Sequence, residues 1–282
     1  MISYFQAIVL GLLQGFSELF PISSLGHTVL LPAILGWNID RSSDSFVAFV
    51  VLTHFATALV LLGFFWRDWL LIVAGIFRAL AKREIRQDDT YGRLGWLLIV
   101  STVPAGLLGL LLEHRLQGLF GDAHIVAIAL ALNGIILYIV EWARRPGAKE
   151  GVHDDTKLAA LSWGEAVIVG VSQCLALIPG FSRTGSSMAG GLLVGLSHEN
   201  AVRYSFLLAT PIIFAAAVLK LPDLFGHQGA GIGQALVGAG CSAVTAYFSV
   251  RFLLRYFETR TLTPFAAYCF AAGVAAFLIL TF

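Results

Sequence analysis

Long apolar stretches separated by short polar segments are the main pattern along this chain. Each stretch has roughly the 20 residues that a helix needs to cross the hydrocarbon core of a bilayer. The pattern therefore predicts an all-α, polytopic membrane protein with six full transmembrane helices. They are expected at residues 45–66, 94–112, 124–140, 204–219, 231–254 and 264–282.

Two further apolar regions are broken in the middle by proline, glycine and hydroxyl residues. Their sequences are GLLQGFSELFPISSLGH at residues 11–27 and GVSQCLALIPGFSRTG at residues 170–185. An ungapped alignment pairs Gly11 with Gly170, Gln14 with Gln173, Ser23 with Ser182 and Gly26 with Gly185. This repetition predicts that the chain consists of two related halves.

The apolar runs on either side of each break are too short to span a bilayer. Half-helices of this kind are permitted at membrane depth when they are buried in protein or line a wet cavity. We therefore expect two re-entrant helical hairpins within a single membrane domain over residues 1–282. The repeat halves are expected at about 1–142 and 158–282, joined by a cytoplasmic loop at about 143–157. Such paired broken segments indicate a binding site near the bilayer midplane.

Charged residues are few and unevenly distributed. They make up 12% of the chain, against 58% apolar residues, and this excludes a soluble globular domain. The net charge of +1 gives no indication of a nucleic-acid partner. With alternating spans, the loops on one side carry 14 Lys and Arg and those on the other side carry 3. The positive-inside rule places both termini outside, and the second hairpin enters from the side opposite to the first, as in an inverted-topology repeat.

Two charged residues, Glu18 and Arg183, lie inside the broken segments. A charge at mid-membrane costs about 2.5 to 3.5 kcal/mol on insertion scales, so it is retained where it is paired, hydrated or functional. Glu18 follows Gln14 by four residues, which puts both on one helical face. A buried structural ion pair between Glu18 and Arg183 is the alternative to a functional role.

The two breaks carry different polar groups. The first has Ser23 and Ser24 at the start of a half-helix, with His27 three or four residues further along on the same side. The second has Ser182, Arg183 and Thr184 at the start of another, where free backbone N–H groups, hydroxyl donors and a guanidinium make an anion site. Ser and Thr in membrane helices also bond within or between helices, so a packing role for these hydroxyls stays open.

Other polar residues are expected to be structural. Thr53 and His54 lie inside the first span, where a helix–helix contact is the simplest interpretation and lining of the cavity is the alternative. His153, Asp154 and Asp155 belong to a charged loop and are interpreted as solvated.

These residues resemble a known family, the bacterial undecaprenyl-diphosphatases of the bacitracin-resistance type. Its motifs (E/Q)xxxE and PxSSxxH are seen here at residues 14–18 and 21–27, and its PGxSRS motif is seen as PGFSRT at 179–184. The resemblance covers almost the whole chain. Gln14 stands where some relatives have Glu, so this motif offers one carboxylate in place of two.

The resemblance implies hydrolysis of undecaprenyl diphosphate, a C55 prenyl diphosphate, to undecaprenyl phosphate and inorganic phosphate. This reaction recycles the lipid carrier for peptidoglycan synthesis. The resemblance also implies a divalent cation, Mg²⁺ or Ca²⁺, the bacterial inner membrane, and an active site that opens to the periplasmic side. The expected partners are the prenyl diphosphate and the bilayer, and a homodimer is left open.

The expected catalytic residues are Glu18, His27, Ser24 and Arg183. Arg183 would clamp the diphosphate, Glu18 would hold the metal ion, and His27 would act as general acid or base. Either Ser24 attacks phosphorus or water attacks while Ser24 binds the phosphate, and the sequence leaves both open. The expected substrate-binding residues are Gln14, Ser23, Ser182, Thr184 and Ser187.

A transporter is the competing functional class. Inverted repeats and broken helices are typical of secondary transporters, so a polyprenyl-phosphate transporter or flippase would use the same anion clamp.

Overall fold

The computed structural model describes residues 2–40, 43–117, 122–144, 154–225 and 231–282. Within these residues the chain is helical and contains no strand. The helices are α1 (Tyr4–Ser17), α2 (Ser24–Ile34), α3 (Asp44–Phe64), α4 (Trp66–Lys82), α5 (Thr90–Gln117), α6 (Ala123–Ala143), α7 (Asp155–Ala159), α8 (Trp163–Gln173), α9 (Arg183–Leu193), α10 (His198–Phe225), α11 (Ile232–Tyr256) and α12 (Thr263–Thr281). A 3₁₀ turn, Cys174–Leu177, continues α8.

The six predicted spans are confirmed as helices long and apolar enough to cross a membrane, in the part of the chain that the structure describes. They are α3, α5, α6, α10, α11 and α12. The two broken regions form short helices instead, α1 with α2 and α8 with α9, because proline and glycine interrupt each apolar run. The chain is therefore a multi-pass, all-helical membrane protein.

The segment between the first two spans is more ordered than predicted. The spans predicted at residues 45–66 and 94–112 leave 67–93 as a loop between them, whereas the structure forms α4 over Trp66–Lys82. Arg67, Asp68 and Arg78 interrupt the apolar run and remove the signal of a membrane span. Their spacing nevertheless leaves one apolar face on a helix, since the exposed side chains include those of Leu70 and Phe77.

Some predictions fall outside the described residues. One is Arg41, which is among the three basic residues counted on the outer side. The others are residues 145–153 of the predicted loop at 143–157, including His153. Asp154 and Asp155 are described, and they begin the short helix α7, with Asp154 as its N-cap.

Small residues bring the spans close together. The most extensive packing joins α6 to α12 and α3 to α11. Between α6 and α12, a Cβ atom built on Gly134 would lie 2.5 Å from the carbonyl oxygen of Ala266, and one on Gly273 would lie 2.5 Å from the backbone nitrogen of Ala131. Close backbone approach at small residues is a main source of helix association in membranes, where lipid removes most of the hydrophobic driving force.

The α6–α12 contact predicts that Gly273→Leu lowers the melting temperature of the detergent-solubilised protein, because the added side chain has to push two backbones apart. Overpacking of this kind costs about 1 to 3 kcal/mol or more. The matched control is Gly240→Leu on α11, where a new Cβ atom meets nothing within 4 Å. Equal melting temperatures for the two variants would contradict the packing argument.

Candidate functional site

The first break places Glu18 at the end of one short helix and two serines at the start of the next. Helix α1 ends at Ser17, and α2 begins at Ser24 with Ser23 as its N-cap. The Ser23 hydroxyl accepts a hydrogen bond from the Gly26 N–H at 3.1 Å. Ser23 has a φ of 69°, a left-handed conformation that a non-glycine residue rarely adopts. Strain of this type is concentrated at functional sites.

The second break has the same construction. Ser182 is the N-cap of α9, and its hydroxyl accepts from the Gly185 N–H at 3.1 Å. Gly180 has a φ of 108°, and a Cβ atom there would lie 2.6 Å from the side chain of Ala129. Only glycine therefore fits both the backbone conformation and the space at this position.

The two breaks contact each other directly. The hydroxyl of Ser182 donates to the carbonyl of Phe20 at 3.2 Å, and the hydroxyl of Thr184 donates to the carbonyl of Glu18 at 3.1 Å. Asn133 of α6 joins both, since its amide donates to the Pro21 carbonyl at 3.2 Å and its Oδ1 accepts from the Ser182 N–H at 3.2 Å. Backbone groups that the breaks release from helical pairing are thus satisfied across the interface.

Glu18 is the centre of the polar contacts. It is 7% exposed, and its Oε1 accepts a hydrogen bond from the Arg183 guanidinium. Its Oε2 accepts from the Ser24 hydroxyl and, at 3.1 Å, from Nε2 of Gln14. His54 Nε2 lies 3.5 Å from the same oxygen. The carboxylate is therefore held from both repeat segments and from α3.

The site keeps hydrogen-bond donors that Glu18 does not use. Arg183 neutralises Glu18, and the buried Nε of Arg183 has no hydrogen-bond partner among the described residues. A guanidinium has five N–H donors, so Arg183 keeps donors for an oxyanion while it holds Glu18. The start of α9 adds backbone N–H groups and the positive end of the helix dipole.

A cavity of about 560 Å³ opens beside these groups. Its polar end includes Glu18, Ser24 and Arg183. Its remaining wall is apolar and comes mainly from α5 and α10, including Ala105, Gly106, Ile212 and Ala216. A mostly apolar cavity with a few convergent polar groups suits a molecule with a lipid tail and an anionic head.

Five of the predicted site residues line this cavity, and the others do not. Those that line it are Glu18, Ser23, Ser24, Ser182 and Arg183. Gln14 lies behind Glu18 as its hydrogen-bond donor. The structure places Thr184 and Ser187 in packing contacts, because Thr184 bonds to the Glu18 carbonyl and the Ser187 hydroxyl lies 2.6 Å from that of Ser205. Direct substrate binding by these three residues finds no support in their contacts.

His27 is also placed differently from the expectation. Its Nδ1 lies 2.7 Å from the Ser23 carbonyl, and its Nε2 lies 2.8 Å from the Tyr268 hydroxyl, with the two rings stacked. The two ring nitrogens are thus engaged by the Ser23 carbonyl and by the Tyr268 hydroxyl of α12, and His27 does not line the cavity. Its predicted role as general acid or base at Ser24 stays a prediction without a contact behind it.

Three polar residues outside the predicted set line the cavity, Thr102, His54 and Gln173. Thr53 makes the expected helix–helix contact, since its carbonyl accepts from the Ser242 hydroxyl at 3.1 Å. His54 instead lines the cavity, which was the alternative interpretation. Its Nδ1 lies 2.8 Å from the Val50 carbonyl, and this turns Nε2 towards Glu18. The alignment of Gln173 with Gln14 was the available signal for Gln173.

The side chains at this site fit a hard divalent cation only when a bound ligand supplies further donor atoms. Within the described residues there is no group of three His, Cys, Asp or Glu side chains that could hold a metal ion, and Glu18 is the one carboxylate lining the cavity. Mg²⁺ is commonly bound by one or two carboxylates with substrate phosphates and water. Glu18 is the side chain that would hold such an ion, with the phosphate oxygens of a bound ligand as further donors.

These features define a multi-pass membrane protein with a buried carboxylate–guanidinium site at the end of a mostly apolar cavity. The family model described as bacitracin resistance protein BacA matches residues 7–275, and the chain belongs to this family.

Three curated relatives are similar to the chain over nearly its whole length. The undecaprenyl-diphosphatase of Mycolicibacterium paratuberculosis is 50% identical, over 98% of this chain and 96% of the relative. The undecaprenyl-diphosphatase of Mycobacterium avium is 49% identical with the same coverage. Undecaprenyl-diphosphatase 2 of Burkholderia ambifaria is 46% identical, over 95% of this chain and 93% of the relative.

The bridging amide predicts that Asn133→Leu destabilises the protein, because it leaves the Ser182 N–H without its polar partner and the Pro21 carbonyl with only the weak Cys269 thiol donor at 3.6 Å. A buried unsatisfied group costs about 1 to 3 kcal/mol. Thermal unfolding in detergent measures the effect. The control is Thr210→Val on α10, whose hydroxyl only donates back to the Phe206 carbonyl of its own helix. A larger loss in the Thr210 variant would contradict the bridging role.

Proposed function

We propose that this chain is an integral membrane phosphatase that hydrolyses undecaprenyl diphosphate to undecaprenyl phosphate and inorganic phosphate. The observation that carries the proposal is the contact of Ser24 and Arg183 with one carboxylate, that of Glu18, at the polar end of an otherwise apolar cavity. Membership of the BacA family and the names of the relatives support the substrate.

The substrate enters as an amphiphile. The prenyl tail follows the apolar wall between α5 and α10, and the diphosphate reaches the polar end. Arg183 binds the terminal phosphoryl oxygens, with the Ser182 hydroxyl and the backbone N–H groups at the start of α9 beside it. Phosphoryl transfer requires mainly positioning and neutralisation of charge, and this arrangement supplies both.

Ser24 is the proposed nucleophile. Its hydroxyl already donates to Oε2 of Glu18, so the carboxylate is in place to accept the proton as the oxygen attacks. A bond forms between Ser24 Oγ and the terminal phosphorus while the bridging P–O bond breaks, and undecaprenyl phosphate leaves. Water then cleaves the serine phosphate and releases inorganic phosphate. Attack by water, with Ser24 binding the phosphate, is the alternative mechanism.

A divalent cation, Mg²⁺ or Ca²⁺, is part of the proposal, with Glu18 as its protein ligand. When bound, it would neutralise charge on the phosphate oxygens. The cation requirement and the possible homodimer both stay predictions.

We also propose that α1 with α2 and α8 with α9 are re-entrant hairpins of an inverted repeat. In support, α1 packs on α11 of the second half while α8 packs on α5 of the first. The contacts at the breaks are likewise equivalent, since Gly26 approaches Gly180 and Gly185 approaches Pro21, and the alignment exchanges these two pairs.

The charge distribution supports a location in the bacterial inner membrane with both termini in the periplasm. In this orientation we propose that the cavity opens to the periplasmic side. The whole chain would form one membrane domain, with the halves divided as the sequence predicts.

The main test is phosphate release from a C55 or shorter prenyl diphosphate by the detergent-solubilised protein, with and without Mg²⁺ or Ca²⁺. Hydrolysis requires no compartments and transport does, so the absence of release under every condition would favour the transporter or flippase alternative.

Arg183→Lys should lower kcat/KM about 10-fold to 100-fold, because lysine lacks the bidentate geometry of arginine. Arg67→Lys, at an exposed position on α4, is the control.

Ser24→Ala should abolish turnover and the trapping of phosphate on the protein. The trap is acid quenching of the enzyme with substrate labelled in the terminal phosphate, followed by mass spectrometry of the peptide that contains Ser24. Ser172→Ala is the control, since the Ser172 hydroxyl donates within α8 to the Ile168 carbonyl. Full activity of the Ser24 variant would remove Ser24 as nucleophile and leave attack by water.

A further inference from the structure

Gln173 is a buried polar side chain with an unpaired group in the cavity. It is the last residue of α8, it is 3% exposed, and it lines the cavity with Ser182 and Arg183. Its Oε1 is buried without a hydrogen-bond partner among the described residues. Leaving a buried polar atom unpaired is destabilising, so such a group calls for an explanation.

The explanation comes from comparison with the other repeat half. Gln14 occupies the equivalent position, and its amide donates to Glu18, four residues further along the chain. Four residues after Gln173 the chain has Leu177, whose side chain contains no polar atom. The second half thus retains the amide at the cavity and lacks the carboxylate that engages it in the first half.

The groups around Gln173 in the cavity limit the kind of ligand that its amide can bind. A side-chain amide provides two N–H donors and an acceptor, and exchange of its oxygen and nitrogen positions needs only a rotation of the group. Beside it, Arg183 already attracts an anion. An oxyanion with several acceptor oxygens and a shell of water satisfies both ends of the amide, the NH₂ group directly and Oε1 through water.

We propose that Gln173 is a further substrate-binding residue, whose amide donates to the diphosphate head group from the α8 side while Arg183 holds it from α9. The inference rests on the proposed function, because it takes the head group to be a diphosphate. In this arrangement the second repeat half supplies two hydrogen-bonding contacts to the substrate, from Gln173 and Arg183. The first half supplies the nucleophile and its carboxylate.

The test compares binding with turnover in the full-length protein in detergent. The probe is a prenyl methylenediphosphonate, in which a carbon bridge prevents hydrolysis, and its Kd is measured by titration. Gln173→Met keeps the length of the side chain and removes its hydrogen bonds. Gln173→Glu keeps the shape and adds a negative charge. Gln6→Glu on α1 is the matched control, since a glutamate retains the capping box that Gln6 forms with Ser3.

For Gln173→Met we expect Kd and KM to rise about 10-fold or more, since a lost hydrogen bond to a charged group is worth at least one factor of ten. The value of kcat should change little, because the contact is made in the bound ground state and in the transition state alike. Gln173→Glu should weaken binding further through repulsion. It also tests the contact if the methionine variant unfolds, because its volume is that of the native residue.

Unchanged Kd and KM in both folded variants would overturn the inference. A change confined to the concentration of cation required would overturn it too, since that would make Gln173 a metal ligand. Failure of the proposed function is distinguishable, because the unmutated protein would then neither release phosphate nor bind the diphosphonate. If the unmutated protein does both and the variants match it, only the role of Gln173 fails.

Discussion

The ion pair between Glu18 and Arg183 is the interaction on which the rest of the site depends. It joins residues that lie 165 positions apart in the chain, one from each broken segment. Burial of two charges in a membrane domain is costly, and removal of either partner leaves the other uncompensated. The two segments therefore have to be held at a fixed distance, which is the task of the Asn133 bridge and of the Thr184 hydroxyl.

The same constraint accounts for the broken helices. A continuous helix would satisfy its own backbone and present only side chains at mid-depth, whereas a break releases N–H and carbonyl groups that need partners. Here the two N-cap serines, Ser23 and Ser182, satisfy part of this demand. In the proposed function, N–H groups at the start of α9 bind the anionic substrate, so the local cost of each break is linked to the chemistry that it permits.

Hydropathy and segment length predicted the spans and the short helices, because these features depend on the local sequence alone. The spacing of Glu18, Ser24 and Arg183 around proline and glycine was enough to place them at one site. The directions of other side chains depend on neighbours from distant parts of the chain. Ser24 and His27 are one helical turn apart, yet Tyr268 of α12 holds His27 away from the cavity. His54 faces Glu18 because the Val50 carbonyl fixes one edge of its ring.

The two broken segments differ in a way that suits the proposed anionic substrate. A glutamate at position 177, equivalent to Glu18, would put a second negative charge at a cavity that Arg183 makes attractive to anions. Leu177 avoids that repulsion and offers no side-chain partner to Gln173, whose Oε1 has none among the described residues. In the proposed mechanism, the first broken segment thus provides the carboxylate that accepts a proton, and the second provides neutral and cationic donors. The site we propose therefore has a nucleophilic side on α2 and a binding side on α8 and α9.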